Sequence, residues 1–271
     1  QITSEDVFLD LEAAKAEGYS ATIVKTRKTI YNQILNYALI NDKSIHYNPA
    51  VGVKLPKNLP KGKRSAPDED AVSVILNSLD KPFGFFAYFL LCTGLRKAEA
   101  LALTKSDIDW KNNQISVTKA LEYSNKTDPK LKPPKTENGI RNVPILDILV
   151  KPLKEYLFTV DEILFPQDKS NRNLGGGYMT AKAYETAWAK YQQATGLTLT
   201  AHQLRHGTAT LMFESGVDVY TAQHILGHAN ISTTLGIYTE LRDKQKTKSI
   251  KKFNIITKSK YILYVNIYKG V

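Results

Sequence analysis

Cysteine is almost absent from this sequence: Cys92 is the single cysteine among 271 residues. One cysteine excludes an intramolecular disulfide and indicates a reducing compartment, and we expect a cytoplasmic protein. Because Cys92 stands in the apolar run FFAYFLLC, we interpret it as a small buried hydrophobic residue. Apolar runs of membrane-spanning length and a signal-peptide pattern are also missing, so we expect no membrane partner.

Acidic residues are fewer than basic ones, and the imbalance is uneven along the chain. The net charge is +11, from 37 Lys and Arg against 26 Asp and Glu. Residues 1–65 have a net charge of +4 and residues 242–271 a net charge of +8, whereas residues 66–241 have −1. The total favours a polyanionic partner, but in the long middle segment basic residues matter only where they cluster.

Hydrophobic periodicity predicts a mainly α protein with a small antiparallel β-sheet, an α+β fold. Two helical patterns, about 4–17 and from about 20 onward, predict a helical first domain over 1–53. Prolines and basic residues then predict a basic extended linker over 54–67, which is either solvated or in contact with a phosphate backbone. A second domain is predicted over 68–247, and 248–271 is a basic tail.

Strand signals in the second domain lie between residues 114 and 145. The β-branched residues of QISVTKALEY predict a strand, and KTENGIRNVPI predicts a hairpin with Asn138-Gly139 at its tip. Further on, the glycine-rich RNLGGGY predicts a flexible connection, and Gly216 and Gly227 separate three short helices. The last residues alternate well enough for a strand without an evident partner.

The stretch QLRHGTAT has two interpretations. Arg-His-Gly-x-Thr resembles the phosphate-binding signature of the histidine phosphatases, in which the residue matching His206 is phosphorylated. That signature follows a buried strand early in its fold, whereas here it lies late in the chain on a predicted helix. The alternative pairs His202 with Arg205, which stand three residues apart on one helical face and can both contact one phosphate. Alone, this pair is a weak signal.

Three further motifs strengthen the interpretation of His202 and Arg205 as part of a phosphate site. TGLRKAEALAL places Arg96 after a glycine break with Glu99 three residues on, and LGHANISTTLGIYTE places His228 ten residues before Tyr238. PPKTENGIRNVPI places Lys135 beside the predicted hairpin tip. Each has an ordinary structural alternative, such as a helical ion pair, a helix-end histidine, a core tyrosine or a solvated lysine. The joint occurrence of all four motifs favours a phosphate site.

Together these motifs resemble the catalytic motifs of the tyrosine recombinases, the phage and conjugative-transposon integrase family, over about residues 66–241. Residues 20–57 resemble, more weakly, the end of that family's helical core-binding domain; with two helices where about four are common, it is expected to be truncated at its front. The resemblance implies a mixed α/β catalytic domain over 68–247. It also implies bacterial, DNA-associated site-specific integration and excision through a 3′-phosphotyrosyl intermediate. The implied phosphate pocket consists of Arg96, Lys135, His202, Arg205 and His228, with Tyr238 as nucleophile, Lys135 as general acid and Glu99 supporting Arg96.

The same resemblance implies the partners. These are double-stranded DNA with attachment sites, a homotetramer on synapsed DNA and an accessory excision factor. Because no motif in the sequence has metal-ligand spacing, we expect no metal, and we expect no cofactor. The residues expected to contact DNA are Lys25, Arg27, Lys28, Lys54, Lys57, Lys61, Lys63 and Arg64. Two other DNA-directed functions stay open. One is a helix-turn-helix regulator without catalysis, because the spacing of helices and turns over residues 202–226 is typical of that motif, and the other is a type IB topoisomerase.

Overall fold

The computed structural model describes residues 2–60, 65–124, 128–134, 137–167, 176–243 and 246. They form two compact units, 1–64 and 65–271, which divide inside the predicted linker. The predicted fold class is confirmed, since the described part is helix-rich with small antiparallel sheets.

The first unit contains two helices, α1 (Ser4–Ala16) and α2 (Ala21–Ile40). A capping box between Thr3 and Asp6 starts α1 where the sequence predicts it. Leu55 and Leu59 pack against the buried core of these helices. The beginning of the predicted linker is therefore not a solvated spacer, because its leucines complete the core of the first unit.

The elements of the second unit are α3 (Glu69–Leu76), α4 (Gly84–Thr93), α5 (Lys97–Ala100), β1 (Ile108–Asp109), β2 (Gln114–Val117), β3 (Ala120–Tyr123), β4 (Pro129–Lys132), β5 (Arg141–Pro144), α6 (Asp147–Leu157), α7 (Ala181–Thr195), α8 (Ala201–Glu214) and α9 (Val219–Leu226). Short 3₁₀ turns cover Lys105–Asp107 and Glu137–Gly139, and residues 231–243 are helical.

Helix α4 is the centre of the second unit. All ten of its residues are buried, and it packs against α3, α6 and α8. The run GFFAYFLLCT is apolar on every face, which is the pattern of a helix enclosed by protein. Gly94 ends α4 in the left-handed conformation, with φ of 65°. A Cβ there would lie 2.8 Å from a Leu226 methyl carbon and 3.1 Å from one of Thr208, so only glycine permits this close crossing of α4, α8 and α9.

The sheets correct two predictions. QISVTKALEY forms two strands in different sheets: β2 pairs with β1 and β5, and β3 pairs with β4, all antiparallel. The predicted hairpin at Asn138-Gly139 is wrong for the described residues, since β5 pairs with β2 and β4 with β3. Gly139 lies instead in a 3₁₀ turn, where an added Cβ would meet Pro134 at 2.3 Å. Glycine is present there because of this close approach.

The last three predicted helices are confirmed. Thr200 and Asp218 cap α8 and α9, and Gly216 and Gly227 follow them in the left-handed conformation. Of the glycine-rich connection predicted at 172–178, residues 172–175 lie outside the described residues, as does the alternating segment near the C-terminus. The described end of the connection is paired with the chain before it: the Gly176 N–H donates to the Gln167 carbonyl at 3.1 Å, and Tyr178 forms an antiparallel bridge with Pro166.

Candidate functional site: a buried arginine cluster beside a histidine-lined cavity

The carboxylate of Glu99, on the short helix α5, binds two arginines: Arg96 just before α5 and Arg141 on β5. This carboxylate accepts a hydrogen bond from Arg96 Nη1 at 2.7 Å and one from the Arg96 backbone N–H at 2.8 Å. The guanidinium of Arg141 donates to both oxygens of the same carboxylate, at 3.2 and 2.9 Å. Glu99 is buried, which by itself raises the pKa of its carboxyl, but the bonds and charges of Arg141 and Arg96 lower it below its ordinary value. Glu99 is thus an ionised support of Arg96.

Arg205 lies on α8 with its guanidinium against the end of α4. Nη1 donates to the Gly94 carbonyl at 2.9 Å, while the buried Nη2 has no hydrogen-bond partner among the described residues. Burial lowers the pKa of Arg205 to about 9, and the positive charges of Arg96 and Arg141 contribute. A buried, unsatisfied guanidinium nitrogen beside two other cations is a site that an anion would stabilise.

Three of the predicted pocket residues line one cavity of about 610 Å³: Arg96, His202 and Arg205. His202 is exposed and one helical turn before Arg205, as the i, i+3 spacing predicts. His206 is not among the described residues that line this cavity. The geometry therefore favours the pair of His202 and Arg205 over the phosphohistidine interpretation.

His228 follows the left-handed Gly227 at the end of α9. Its Nδ1 lies 2.7 Å from the hydroxyl of Thr234, a fully buried residue. In the tautomer whose Nδ1 accepts a hydrogen bond from that hydroxyl, Nε2 carries the ring hydrogen and can donate a hydrogen bond to a phosphate oxygen. Burial lowers the pKa of His228 to about 4, with further contributions from the arginines of the cluster and from His202. His228 is therefore neutral at pH 7.

Tyr238 lies within helical residues 231–243 and is half-buried. Its hydroxyl donates to the Val217 carbonyl at 3.1 Å, and its ring packs edge-on against Phe213 with centroids 5.1 Å apart. Burial, followed by the charge of Asp218, raises the pKa of Tyr238. Tyr238 is not among the described residues lining the cavity with Arg205, so its hydroxyl has to leave Val217 to reach a phosphate bound there.

Of the three lysines that could act as the proton donor, two are described by the structure and one is not. Lys135 lies outside the described residues. Two neighbours that could compete with it are already paired: Lys119 Nζ lies 2.8 Å from Asp107, and Lys132 forms an ion pair with Glu122 on the β3–β4 hairpin. The Lys119 pair is largely shielded, with side chains 24% and 11% exposed, whereas the Lys132 pair lies at the surface, with 55% and 42%, so Asp107 restrains Lys119 more firmly than Glu122 restrains Lys132.

The predicted DNA-contacting residues of the first unit differ in their surroundings. Lys25, Lys54 and Lys57 are exposed. Arg27 lies 3.3 Å from Asp10 and over the ring of Tyr19, and Lys28 donates to the Val53 carbonyl. The intramolecular bonds of Arg27 and Lys28 make them weaker candidates than the exposed lysines. Lys61, Lys63 and Arg64 lie outside the described residues.

Sequence reasoning missed three residues of the site. Arg141, inside the strand RNVP, was not singled out, although an arginine in a buried strand is itself unusual. Thr234 orients His228, and the Gly227 carbonyl accepts a hydrogen bond from Arg96 Nη2 at 2.7 Å. The sequence identifies Gly227 only as a helix end.

Comparisons with known proteins decide the family. The model of the phage integrase family matches residues 68–245. The chain belongs to this family. The chain is 30% identical to a protein named tyrosine recombinase XerC-like from Caldanaerobacter subterraneus subsp. tengcongensis, over 88% of this chain and 67% of the relative. It is 28% identical to tyrosine recombinase XerA from Pyrococcus horikoshii, over 94% of this chain and 81% of the relative.

The fold of the integrase is also found among solved structures. It matches the Tn1549 transposon integrase, solved in complex with a circular intermediate DNA, with a TM-score of 0.69 and 22% identity over 88% of this chain and 81% of that one. Family and fold confirm the resemblance seen in the sequence: this protein is a tyrosine-type site-specific recombinase. Within the described part of the chain, no helix is long and apolar enough to cross a membrane.

Proposed function

We propose that the integrase binds double-stranded DNA at attachment sites and cuts and rejoins its strands through a 3′-phosphotyrosyl intermediate, for integration and excision of a mobile element or prophage. The observation that carries the proposal is the buried, unpartnered Nη2 of Arg205 beside Arg96 and His202. Rejoining DNA without a high-energy cofactor requires the phosphodiester energy to be kept in a covalent bond, and a tyrosyl ester does this.

The reaction begins when the Tyr238 hydroxyl leaves the Val217 carbonyl and attacks the scissile phosphorus. His202, which is exposed at the cavity, accepts the tyrosine proton. As the new P–O bond forms, negative charge grows on the non-bridging oxygens, where Arg96 and Arg205 donate hydrogen bonds and neutral His228 donates through Nε2. Lys135 gives a proton to the departing 5′ oxygen. The freed 5′-hydroxyl, or that of a second duplex, reverses the step.

The proposed assembly follows from strand exchange. Two duplexes, each cut on both strands, require four nucleophiles, and we infer a homotetramer on synapsed DNA that an accessory excision factor can bias. The exposed Lys25, Lys54 and Lys57 of the first unit supply sequence-independent phosphate contacts.

Covalent trapping tests the function directly. The substrate is a pool of duplexes with a randomised central segment, lightly nicked so that the short fragment released by cleavage diffuses away and the adduct accumulates. Adducts that resist denaturing detergent are recovered, and their DNA is sequenced to identify the attachment site. We expect the wild-type chain to form adducts and Tyr238→Phe to form none while its DNA affinity stays nearly unchanged.

The matched control is Tyr220→Phe, because Tyr220 on α9 is 72% exposed and is not among the described residues that line the cavity with Arg205. This variant should trap DNA like the wild type. Adducts that persist in Tyr238→Phe, or vanish in Tyr220→Phe, would contradict the nucleophile. DNA binding without any adduct in the wild type would favour a regulator, and relaxation of supercoils without strand exchange would favour a topoisomerase.

A further inference from the structure

Arg141 is a charged residue of the site that cannot touch a substrate. Its side chain is fully buried, with 0% exposure. Besides Glu99, it donates to the carbonyl of Ile225 at 2.7 Å and to the carbonyl of Gly139 at 3.1 Å. Arg141 therefore joins β5 to α5, to the end of α9 and to the 3₁₀ turn that follows the Lys135 segment.

The charges of the cluster indicate what Arg141 contributes to the site. Arg96 is 44% exposed and reaches the cavity, while the carboxylate that orients it is 3% exposed. A buried Glu99 paired with Arg96 alone would cancel the positive charge that Arg96 presents to an anion. Because Arg141 pairs with both oxygens of that carboxylate, the formal charge of Arg96, Arg141, Arg205 and Glu99 together is +2.

We propose that Arg141 is a positioning residue whose charge offsets Glu99, so that Glu99 can orient Arg96 without neutralising the anion pocket. This deepens, and rests on, the proposed phosphoryl-transfer function. A phosphodiester carries one negative charge, and a second develops on its non-bridging oxygens as the tyrosine attacks. A pocket with a net charge of +2 matches the second state better than the first, which is the condition for lowering the barrier.

A rival interpretation is that Arg141 is only a structural clamp between β5, α5 and α9. If Arg141 offsets Glu99, its positive charge is what matters; if it is a clamp, the geometry of its guanidinium fork is what matters. Arg141→Met removes the charge and leaves Glu99 uncompensated, whereas Arg141→Lys keeps the charge but loses the bidentate fork. The double change Glu99→Gln with Arg141→Met removes both charges and returns the pocket to a net charge of +2.

The probe is inorganic phosphate, titrated into the full chain while the imidazole NMR signals of His202 and His228 are followed. We expect Arg141→Met to bind phosphate about tenfold more weakly or worse, the scale of one unscreened charge at close range. Arg141→Lys and the double variant should each recover most of the wild-type affinity. Lys154→Met, which removes a cation lying over Trp110 elsewhere in the same unit, should leave phosphate affinity unchanged.

Thermal unfolding of each variant shows whether that variant is folded. Removing one member of a buried pair is destabilising, whereas removing both is tolerated much better, so the double variant keeps the experiment interpretable if Arg141→Met does not fold. A double variant and an Arg141→Lys variant that fold but bind phosphate as weakly as Arg141→Met would overturn the proposal in favour of the clamp.

Failure of the proposed function is seen separately. Phosphate binding needs neither DNA cleavage nor Tyr238, so the charge pattern can be measured in a protein that traps no DNA. If adducts do form, their rate on the recovered duplex should follow the same order as phosphate affinity, with Arg141→Met slowed more in the cleavage rate than in DNA affinity. An equal loss in both would also count against the proposal.

Discussion

At the scale of single residues, three lysines compete for the role of proton donor: Lys119, Lys132 and Lys135. Lys119 lies in a largely shielded ion pair with Asp107 and Lys132 in an exposed pair with Glu122, whereas the resemblance of PPKTENGIRNVPI to the family's motif implies Lys135. We predict that Lys135→Ala slows cleavage by roughly 10²–10⁴-fold, the usual contribution of a general acid. The rate of adduct formation on the recovered attachment site measures it.

Replacing the bridging 5′ oxygen by sulfur separates the acid from other roles. A thiolate leaves without a proton, so Lys135→Ala should regain most of its rate on this substrate. Arg205→Ala should not, because the charge on the non-bridging oxygens is unchanged. Rescue of Lys132→Ala or Lys119→Ala instead of Lys135→Ala would assign the acid to that lysine.

His228 makes a second residue-scale prediction, on pH. Its pKa is lowered from 6.5 to about 4 by burial first and then by the neighbouring cations. Between these values the unfolded chain binds a proton at this position and the folded chain does not, so the free energy of unfolding falls as pH decreases from 6.5 towards 4. In His228→Gln this contribution is absent. We expect the wild type to be the more stable at pH 7, with the difference narrowing at lower pH.

The measurement is the thermal midpoint of both proteins from pH 7 to pH 4.5. Other acid-sensitive groups affect both chains equally and cancel in the difference. Two parallel curves would show that His228 already titrates normally in the folded chain.

At the scale of elements, the end of α9 connects the helix to the arginine cluster. Gly227 has φ of 64°, and a Cβ there would lie 2.7–2.9 Å from the guanidinium atoms of Arg141. Gly227→Ala therefore adds a collision with Arg141 to the backbone strain of a left-handed alanine. Gly216 ends α8 with φ of 77° and open space around a Cβ, which makes Gly216→Ala a matched control for the strain alone.

We predict that Gly216→Ala lowers the free energy of unfolding by about 1–2 kcal/mol, and that Gly227→Ala lowers it by clearly more and weakens phosphate binding. Chemical denaturation and the phosphate titration provide the two measurements. Equal losses in both variants would mean that Arg141 moves aside without consequence.

Local signals account for what could be predicted about these elements. The glycines and caps that bound α4, α8 and α9 act within a few residues of themselves, so their helices follow from the sequence. The pairing of β5 with β2 joins residues 24 to 30 positions apart and is not encoded by the Asn138-Gly139 dipeptide, which resembles a hairpin turn. The pairs His202–Arg205 and Arg96–Glu99 are also predictable from the sequence, because the two residues of each pair are only three positions apart.

The rest of the site depends on tertiary contacts. Arg141 meets Glu99 across 42 residues, and Arg96 meets the Gly227 carbonyl across 131. An arginine in a buried strand indicates that Arg141 has a partner, but nothing local identifies that partner as Glu99, and nothing local shows that Tyr238 bonds to Val217. Such partners become visible only once the chain is folded.

At the scale of the whole molecule, the positive charge is divided between segments of different character. The tail 248–271 lies outside the described residues, and 242–271 has a net charge of +8. A purely electrostatic arm would be polar, yet this one contains Ile255, Ile256, Ile262, Leu263, Val265 and Ile267. Six large aliphatic residues favour docking on protein, and we predict that the tail packs on a neighbouring copy of the integrase.

Deleting 249–271 tests this. If the tail connects neighbouring copies, deletion should remove higher-order complexes on DNA while single-site binding and its salt dependence change little, because the phosphate contacts are made elsewhere. If the tail is a phosphate arm, single-site affinity should fall as much as assembly does, and the slope of log K against log salt should become shallower by about 0.9 per lost contact. Band-shift titrations on one-site and two-site duplexes over a range of salt concentrations separate these outcomes. The matched control replaces the six aliphatic residues by serine and keeps every lysine: it should behave like the deletion if the tail docks on protein, and like the wild type if the lysines alone matter.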